Sequence, residues 1–218
     1  RILTAMPAAL DILKQTFGYP SFRGPQETII QTVIDGGDAL VLMPTGGGKS
    51  LCYQIPALAR AGCGIVISPL IALMQDQVSA LEERGVHATF LASTLPGAEL
   101  QARMAAMARG EYKLVYAAPE RLVYAGFRDL LRRLDCPLVA IDEAHCVSSW
   151  GHDFRKEYRL VHTVREHAAL RDVPLVALTA TAVPNVQHDI CQQLRLRPGF
   201  LRVTQSFDRP NLEIVVNT

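Results

Sequence analysis

The chain has 218 residues, 49% of them hydrophobic, enough to bury one large core with no shift of composition to divide it. Its 22 Lys+Arg against 21 Asp+Glu leave a net charge of +1, which excludes a uniformly basic nucleic-acid binder and confines any such contact to a local patch. Five cysteines without a C-x2-C pair argue for free thiols in a reducing compartment, and no run approaches the roughly 18 apolar residues of a membrane helix. A soluble intracellular protein with no membrane partner is expected. The start on Arg1 in place of Met suggests a cut-down form of something longer.

Short apolar runs recur along the chain: "ALVLM" (39–43), "GIVIS" (64–68), "ATFLAS" (88–93), "KLVYAA" (113–118), "PLVAI" (137–141) and "PLVALT" (174–179). They are rich in Val, Ile and Leu and nearly free of polar residues, as strands buried on both faces must be. Between them lie stretches with helical spacing, "LCYQIPALAR" (51–60), then Leu70, Leu73, Met74, Val78 and Leu81, then Leu100, Met104 and Met107. This alternation predicts βαβ units in an α/β fold, a three-layer α/β/α sandwich with a mostly parallel central sheet.

In such folds ligands bind beyond the C-terminal ends of the strands. After the first run comes "PTGGGKS", Pro44 to Ser50, followed by a predicted helix. The stretch from Thr45 through Gly46, Gly47 and Gly48 lets backbone amides turn around phosphate oxygens, with a helix N-terminus beyond. Lys49 can reach the β and γ phosphates, and the Ser50 hydroxyl can ligate Mg²⁺. The strict G-x-x-x-x-G-K-[ST] pattern fails at one place, where Met43 stands for the first glycine.

The run "PLVAI" delivers Asp142 and Glu143 at another strand end. Paired with a phosphate loop, Asp142 suits Mg²⁺, and Glu143 suits the orientation and deprotonation of an attacking water. A zinc set of His145, Cys146, His152 and Asp153 is the competing reading. It is disfavoured because His145 and Cys146, being adjacent, point different ways from a strand or helix.

The combination "PTGGGKS" and "DEAH" resembles the superfamily 2 helicases, and further segments are similar to the RecQ family of DNA helicases: "FGYPSFRGPQ" (17–26), "SPLIALMQDQ" (68–77), "APERL" (118–122), "DEAHCVSSWGHDF" (142–154), "LTATA" (178–182) and "FDRPNL" (207–212). The resemblance runs from about Phe17 to Leu212. It implies a RecA-like ATP-binding lobe over residues 1–206, with 207–218 starting a linker to a second such lobe.

Several roles follow from the resemblance. Tyr19 and Arg23 would stack on adenine and the Gln26 amide would pair with its edge, while Phe17 and Phe22 belong to the core. The chain reads Arg-Gly-Pro-Gln where Arg-Pro-Gly-Gln is usual in the family, which alters the loop but keeps the glutamine, and Pro25 can open the next helix. Trp150, His152, Phe154 and Arg155 resemble an aromatic-rich loop that meets single-stranded DNA and signals to the ATP site; aromatic faces stack on any base. Lys156 stands where the family often has proline. Ser68, Gln75 and Arg121 would contact DNA backbone, and Thr179 and Thr181 would link hydrolysis to motion. His87, His162, His167 and His188 are read as surface or satisfied core.

The resemblance therefore implies the ATP-binding lobe of an ATP-dependent 3′–5′ DNA helicase acting in repair and recombination, with ATP and Mg²⁺ as cofactors. Its partners would be single-stranded and forked DNA and the second lobe. It would act as a monomer, in the cytoplasm at the nucleoid of a bacterium or in a eukaryotic nucleus. Without the second lobe's arginine, slow hydrolysis and no unwinding are expected. A lobe that only binds nucleotide or DNA as a scaffold is the alternative, and a GTPase is disfavoured by the lack of N-K-x-D.

Overall fold

The computed structural model describes residues 8–150, 155–161 and 170–205. Strands β1 (Ala39–Leu42), β2 (Gly64–Ile67), β3 (Ala88–Leu91), β4 (Leu114–Ala117), β5 (Val139–Ile141), β6 (Leu175–Thr179) and β7 (Leu201–Thr204) form a sheet in the order β3-β4-β2-β5-β6-β1-β7. Every recorded pairing is parallel. The six apolar runs are β1 to β6. The seventh strand was not anticipated: at the sheet edge only alternate residues are covered, so Leu201 and Val203 face the core while Arg202 and Thr204 do not, and no continuous apolar run marks it.

Alternate residues of each strand go to opposite faces and meet different helices. One face joins Leu40, Leu42, Ile65, Ile67, Ile141 and Ala177 to helices α5 (Gly97–Ala108), α6 (Ala125–Arg133) and α7 (Pro184–Gln193) through Met107, Phe127, Leu131 and Ile190. The other joins Val41, Val66, Tyr116, Ala140 and Leu178 to helices α2 (Gln26–Ile34), α3 (Leu51–Ala59) and α4 (Ile71–Glu82) through Ile29, Val33, Cys52, Met74 and Leu81. This is the three-layer arrangement. Helix α1 (Ala9–Phe17) sits outside, packing Ile12 and Leu13 on Ile30, Leu51 and Ile55. It ends at Gly18, whose φ of 74° turns the chain toward the glycine loop of residues 46–48.

Two local expectations shift. Helix α4 begins at Ile71, so Leu70 lies before it and is 46% exposed, leaving Met74, Val78 and Leu81 as the inward stripe. Phe17 and Phe22 pack on the core but are only partly buried.

At the N-terminal ends of the central strands, Asp38 is buried and accepts from the Leu175 amide at 2.9 Å, the Arg197 amide at 2.8 Å and the Arg197 guanidinium at 2.7 Å. One carboxylate thus ties the starts of β1 and β6 to the loop before β7. Replacing it leaves the Leu175 and Arg197 amides without their acceptor and the Arg197 guanidinium with only the Gly36 and Asp172 carbonyls. Asp38→Ala should cost about 3 kcal/mol, read as a lower urea midpoint at unchanged slope; a loss below about 1 kcal/mol would mean water replaces the carboxylate.

Candidate active site

Because all strands are parallel, the loops after β1, β2, β5 and β6 leave the sheet at the same edge. The loop after β1 folds tightly: the Gly47 amide donates to the Pro44 carbonyl at 3.0 Å. A Cβ at Gly47 would lie 2.9 Å from that same oxygen, and one at Gly48, where φ is 79°, would lie 2.3 Å from Gln26 Nε2. Both positions require glycine. Met43, just after β1, takes the missing first glycine's place with its side chain in the core at 1% exposure. Its carbonyl accepts from Lys49 Nζ at 2.9 Å, so the lysine is curled back over its own loop.

Gln26, 2% exposed, is tied to the same loop. Its Oε1 accepts from the Arg23 amide at 2.8 Å, and its Nε2 donates to the carbonyls of Gly47 at 3.4 Å and Gly48 at 3.3 Å. Pro25 stands at the N-cap of the helix that Gln26 opens. Tyr19 is 42% exposed, with the Arg23 guanidinium 5.6 Å from its ring centre. Tyr19, Arg23 and Gln26 line, with Gly46, Gly47 and Gly48, a cleft of about 80 Å³, and a second of about 170 Å³ is lined by Tyr19 with Ser50, Gln54 and Gln77.

The acidic pair follows β5. Asp142 Oδ2 accepts from the Ser68 hydroxyl at 3.3 Å, and Oδ1 from the Glu143 amide at 3.0 Å. Burial, and then the charge of Glu143, raises the Asp142 carboxyl from 3.8 to about 6, against the opposing effects of those two hydrogen bonds and Lys49. Glu143 sits in the left-handed region at φ 48°, a conformation rare for a residue with a Cβ. Its carboxyl is held below the usual range by His145, whose Nδ1 lies 3.2 Å from Glu143 Oε2. Hydrogen bonding to Cys146 and Glu143 raises the imidazole to about 10, which makes it a cation at neutral pH.

His145 Nδ1 also lies 2.8 Å from Thr179 Oγ1, and that hydroxyl donates to the Thr181 carbonyl at 3.1 Å. With its own proton spent on Thr181, the Thr179 oxygen accepts from the ring. The imidazole therefore bridges the acidic pair after β5 to the end of β6. Sequence reasoning missed this role, having weighed His145 only as a zinc ligand. Its position directly after the acids was the available signal. Tyr158, buried, adds a second unanticipated contact by donating to the Asp142 carbonyl at 3.0 Å.

The structure thus gathers Lys49, Ser68, Asp142, Glu143 and Thr179, while Gln26 joins them through the glycine loop. Ser68 is 1% exposed and turned inward on Asp142. Gln75 is exposed on α4, and Thr181 is exposed after β6. Arg121 is 8% exposed, against the Tyr124 ring at 4.6 Å, and its Nε has no hydrogen-bond partner among the described residues. Trp150 is 74% exposed on a firm base: its amide donates to Ser148 Oγ at 3.2 Å, and that hydroxyl donates to Asp189 on α7 at 2.6 Å. The Arg155 amide donates to the Cys146 carbonyl at 3.1 Å. His152 and Phe154 lie outside the described residues, as do His162 and His167; His87 and His188 are exposed.

The sign of the Asp142 shift sets a pH dependence. Above about 6 the folded chain bears a buried charge that the unfolded chain solvates; as pH falls through 6 the folded state takes up a proton that the unfolded chain refuses until near 3.8. This contribution to stability is therefore gained on acidification, by about 1–3 kcal/mol in full. Urea midpoints from neutral pH to about pH 5 should rise for the parent chain relative to Asp142→Asn. Parallel curves would mean an ordinary carboxylate.

Comparison with known proteins agrees with this geometry. Residues 23–189 match the DEAD/DEAH box helicase family. The chain is 48% identical to the ATP-dependent DNA helicase RecQ of Bacillus subtilis over 95% of its own length and 35% of that protein's. It is 47% identical to the RecQ of Haemophilus influenzae, over 94% of this chain and 33% of the relative. The chain therefore spans about a third of the length of these relatives. In fold it is similar to the DEAD-box helicase Mss116 bound to single-stranded RNA, with a TM-score of 0.72 at 15% identity over 92% of this chain and 44% of that one. A family match over most of the chain, falling on the glycine loop and the acidic pair described above, leads to one conclusion: this chain belongs to the DEAD/DEAH box helicase family.

Proposed function

We propose that this chain is the ATP-binding lobe of an ATP-dependent DNA helicase that moves 3′ to 5′ along a single strand and opens duplexes during repair and recombination. The observation that carries the proposal is the convergence of Lys49 on both acids, whose proton affinities it lowers, from a glycine loop on a different strand. The names of the bacterial relatives support DNA as the nucleic acid. A second RecA-like lobe and forked DNA are its proposed partners, and the bacterial nucleoid or the eukaryotic nucleus its proposed place of action.

The chemistry assigned to each residue follows from its surroundings. Lys49 exchanges the neutral Met43 carbonyl for phosphate oxygens, a stronger, charge-assisted contact. Ser50 and Asp142 offer the hard oxygen donors that suit Mg²⁺, which would neutralise phosphate charge there. Glu143, kept ionised by His145, is the group able to accept a proton from water at neutral pH. Tyr19 and Arg23 present a face for adenine, with Gln26 below it. Because His145 touches Glu143 and Thr179 at once, a shift of the segment after β6 would be felt at the base.

Two measurements test this reading. Lys49→Ala should weaken ATP binding roughly ten- to a hundredfold while leaving adenosine nearly unaffected; equal losses by calorimetry would remove the phosphate role. Trp150 is the chain's only tryptophan, so its emission reports directly on the proposed DNA loop. Titration with oligo-dT at low salt should quench it as bases stack on the exposed ring. Binding seen by anisotropy with unchanged emission would take DNA away from Trp150.

A further inference from the structure

At the end of the sheet opposite the phosphate loop lies a cleft of about 650 Å³ whose lining includes Gly62, Cys63, His87, Lys113 and Asp135. Here β2 and β5 approach just before their ladder begins. The Ile65 amide donates to the Leu138 carbonyl at 3.1 Å, and Ile65 lies opposite Val139. In a parallel ladder an amide bonded to one residue's carbonyl lies opposite the residue after it. The Cys63 amide donates to the Asp135 carbonyl at 2.8 Å, which sets Cys63 opposite Cys136. The step from 63 to 65 on one strand faces that from 136 to 139 on the other, so the extra residue beside Pro137 is a bulge.

Neighbouring strands are about 4.8 Å apart, within the Cα separations of about 4.4–6.8 Å that a disulfide spans. Both side chains also point the same way. Cys63 belongs to the core cluster that contains Phe127 and Leu130, and Cys136 packs against that same cluster. Both thiols are free. We propose that Cys63 and Cys136 form a cross-strand dithiol that closes reversibly to a disulfide under a two-electron oxidant such as hydrogen peroxide.

The reaction balances in two steps. Peroxide oxidises the thiol of Cys136, the more exposed of the two, to a sulfenic acid with release of one water. The Cys63 sulfur then attacks that sulfur, expelling a second water, and the pair has lost two electrons and two protons to the peroxide. A thiol reductant reverses the step by exchange. Burial pushes both thiols up to about 12, so the reactive thiolate is scarce at neutral pH. The bond forms slowly there, and its rate rises about tenfold per pH unit. Since β2 and β5 are already paired, closure pins strands whose far ends carry Ser68 and Asp142 without rearranging them. The proposal is independent of the nucleotide and DNA readings.

The test is to treat the reduced, folded chain with hydrogen peroxide, cap remaining thiols with N-ethylmaleimide, and map tryptic peptides by mass spectrometry. Cys63 should be found joined to the peptide that holds both Cys136 and Cys146. Cys146→Ser should keep the link and Cys136→Ser should lose it. The linking rate should climb about tenfold per unit between about pH 7 and about pH 9. The oxidised chain should melt several degrees higher, reversibly with dithiothreitol. A link that survives Cys136→Ser, one that appears only in urea-unfolded chain, or a melting temperature that does not rise would each overturn the proposal.

Discussion

Covering both faces of a parallel sheet confines its central strands mostly to Val, Ile, Leu and Ala, with the few buried polar atoms given internal partners, as Gln54 is for the Tyr116 hydroxyl, and this constraint shapes the rest of the molecule. Polar side chains must then gather beyond the strands, and parallel pairing sends every C-terminal strand end to one edge. Lys49, Ser68, Asp142 and Thr179 meet there although they come from four separate stretches of chain. The N-terminal edge, by contrast, is tied by Asp38, a buried carboxylate whose acceptor sites are taken by Leu175 and Arg197.

The same burial drives the proton affinities of two adjacent acids apart. Asp142 lies deeper and is pushed toward neutrality. Glu143, turned out by its left-handed backbone, meets the His145 cation and stays ionised. Neighbouring groups with proton affinities driven apart by their surroundings are the usual basis for separate chemical roles. The His145 bridge then ties Glu143 directly to Thr179 at the end of β6.

Departures from familiar patterns are absorbed where packing allows. Met43 replaces a glycine because the position needs only a carbonyl in place and a side chain in the core. Gly47 and Gly48 cannot be replaced in this way, since the Pro44 carbonyl and the Gln26 amide occupy the space of a Cβ. Pro25 takes the N-cap of α2, so the altered order beside it leaves Gln26 pointing into the glycine loop.

The sequence by itself determined the six strands buried on both faces, the helices between them, the glycine loop and the acidic pair, because each is a local pattern of hydrophobicity or conformational need. It did not reveal β7, whose half-covered edge position leaves no continuous apolar run. Nor did it reveal that Ser68 turns to Asp142, that Gln26 is spent partly on the loop carbonyls, or that His145 spans Glu143 and Thr179. Those contacts join residues far apart in the chain. Only tertiary structure decided them, because strand order and register set which strand ends are neighbours, and burial at that edge sets which side chains are charged.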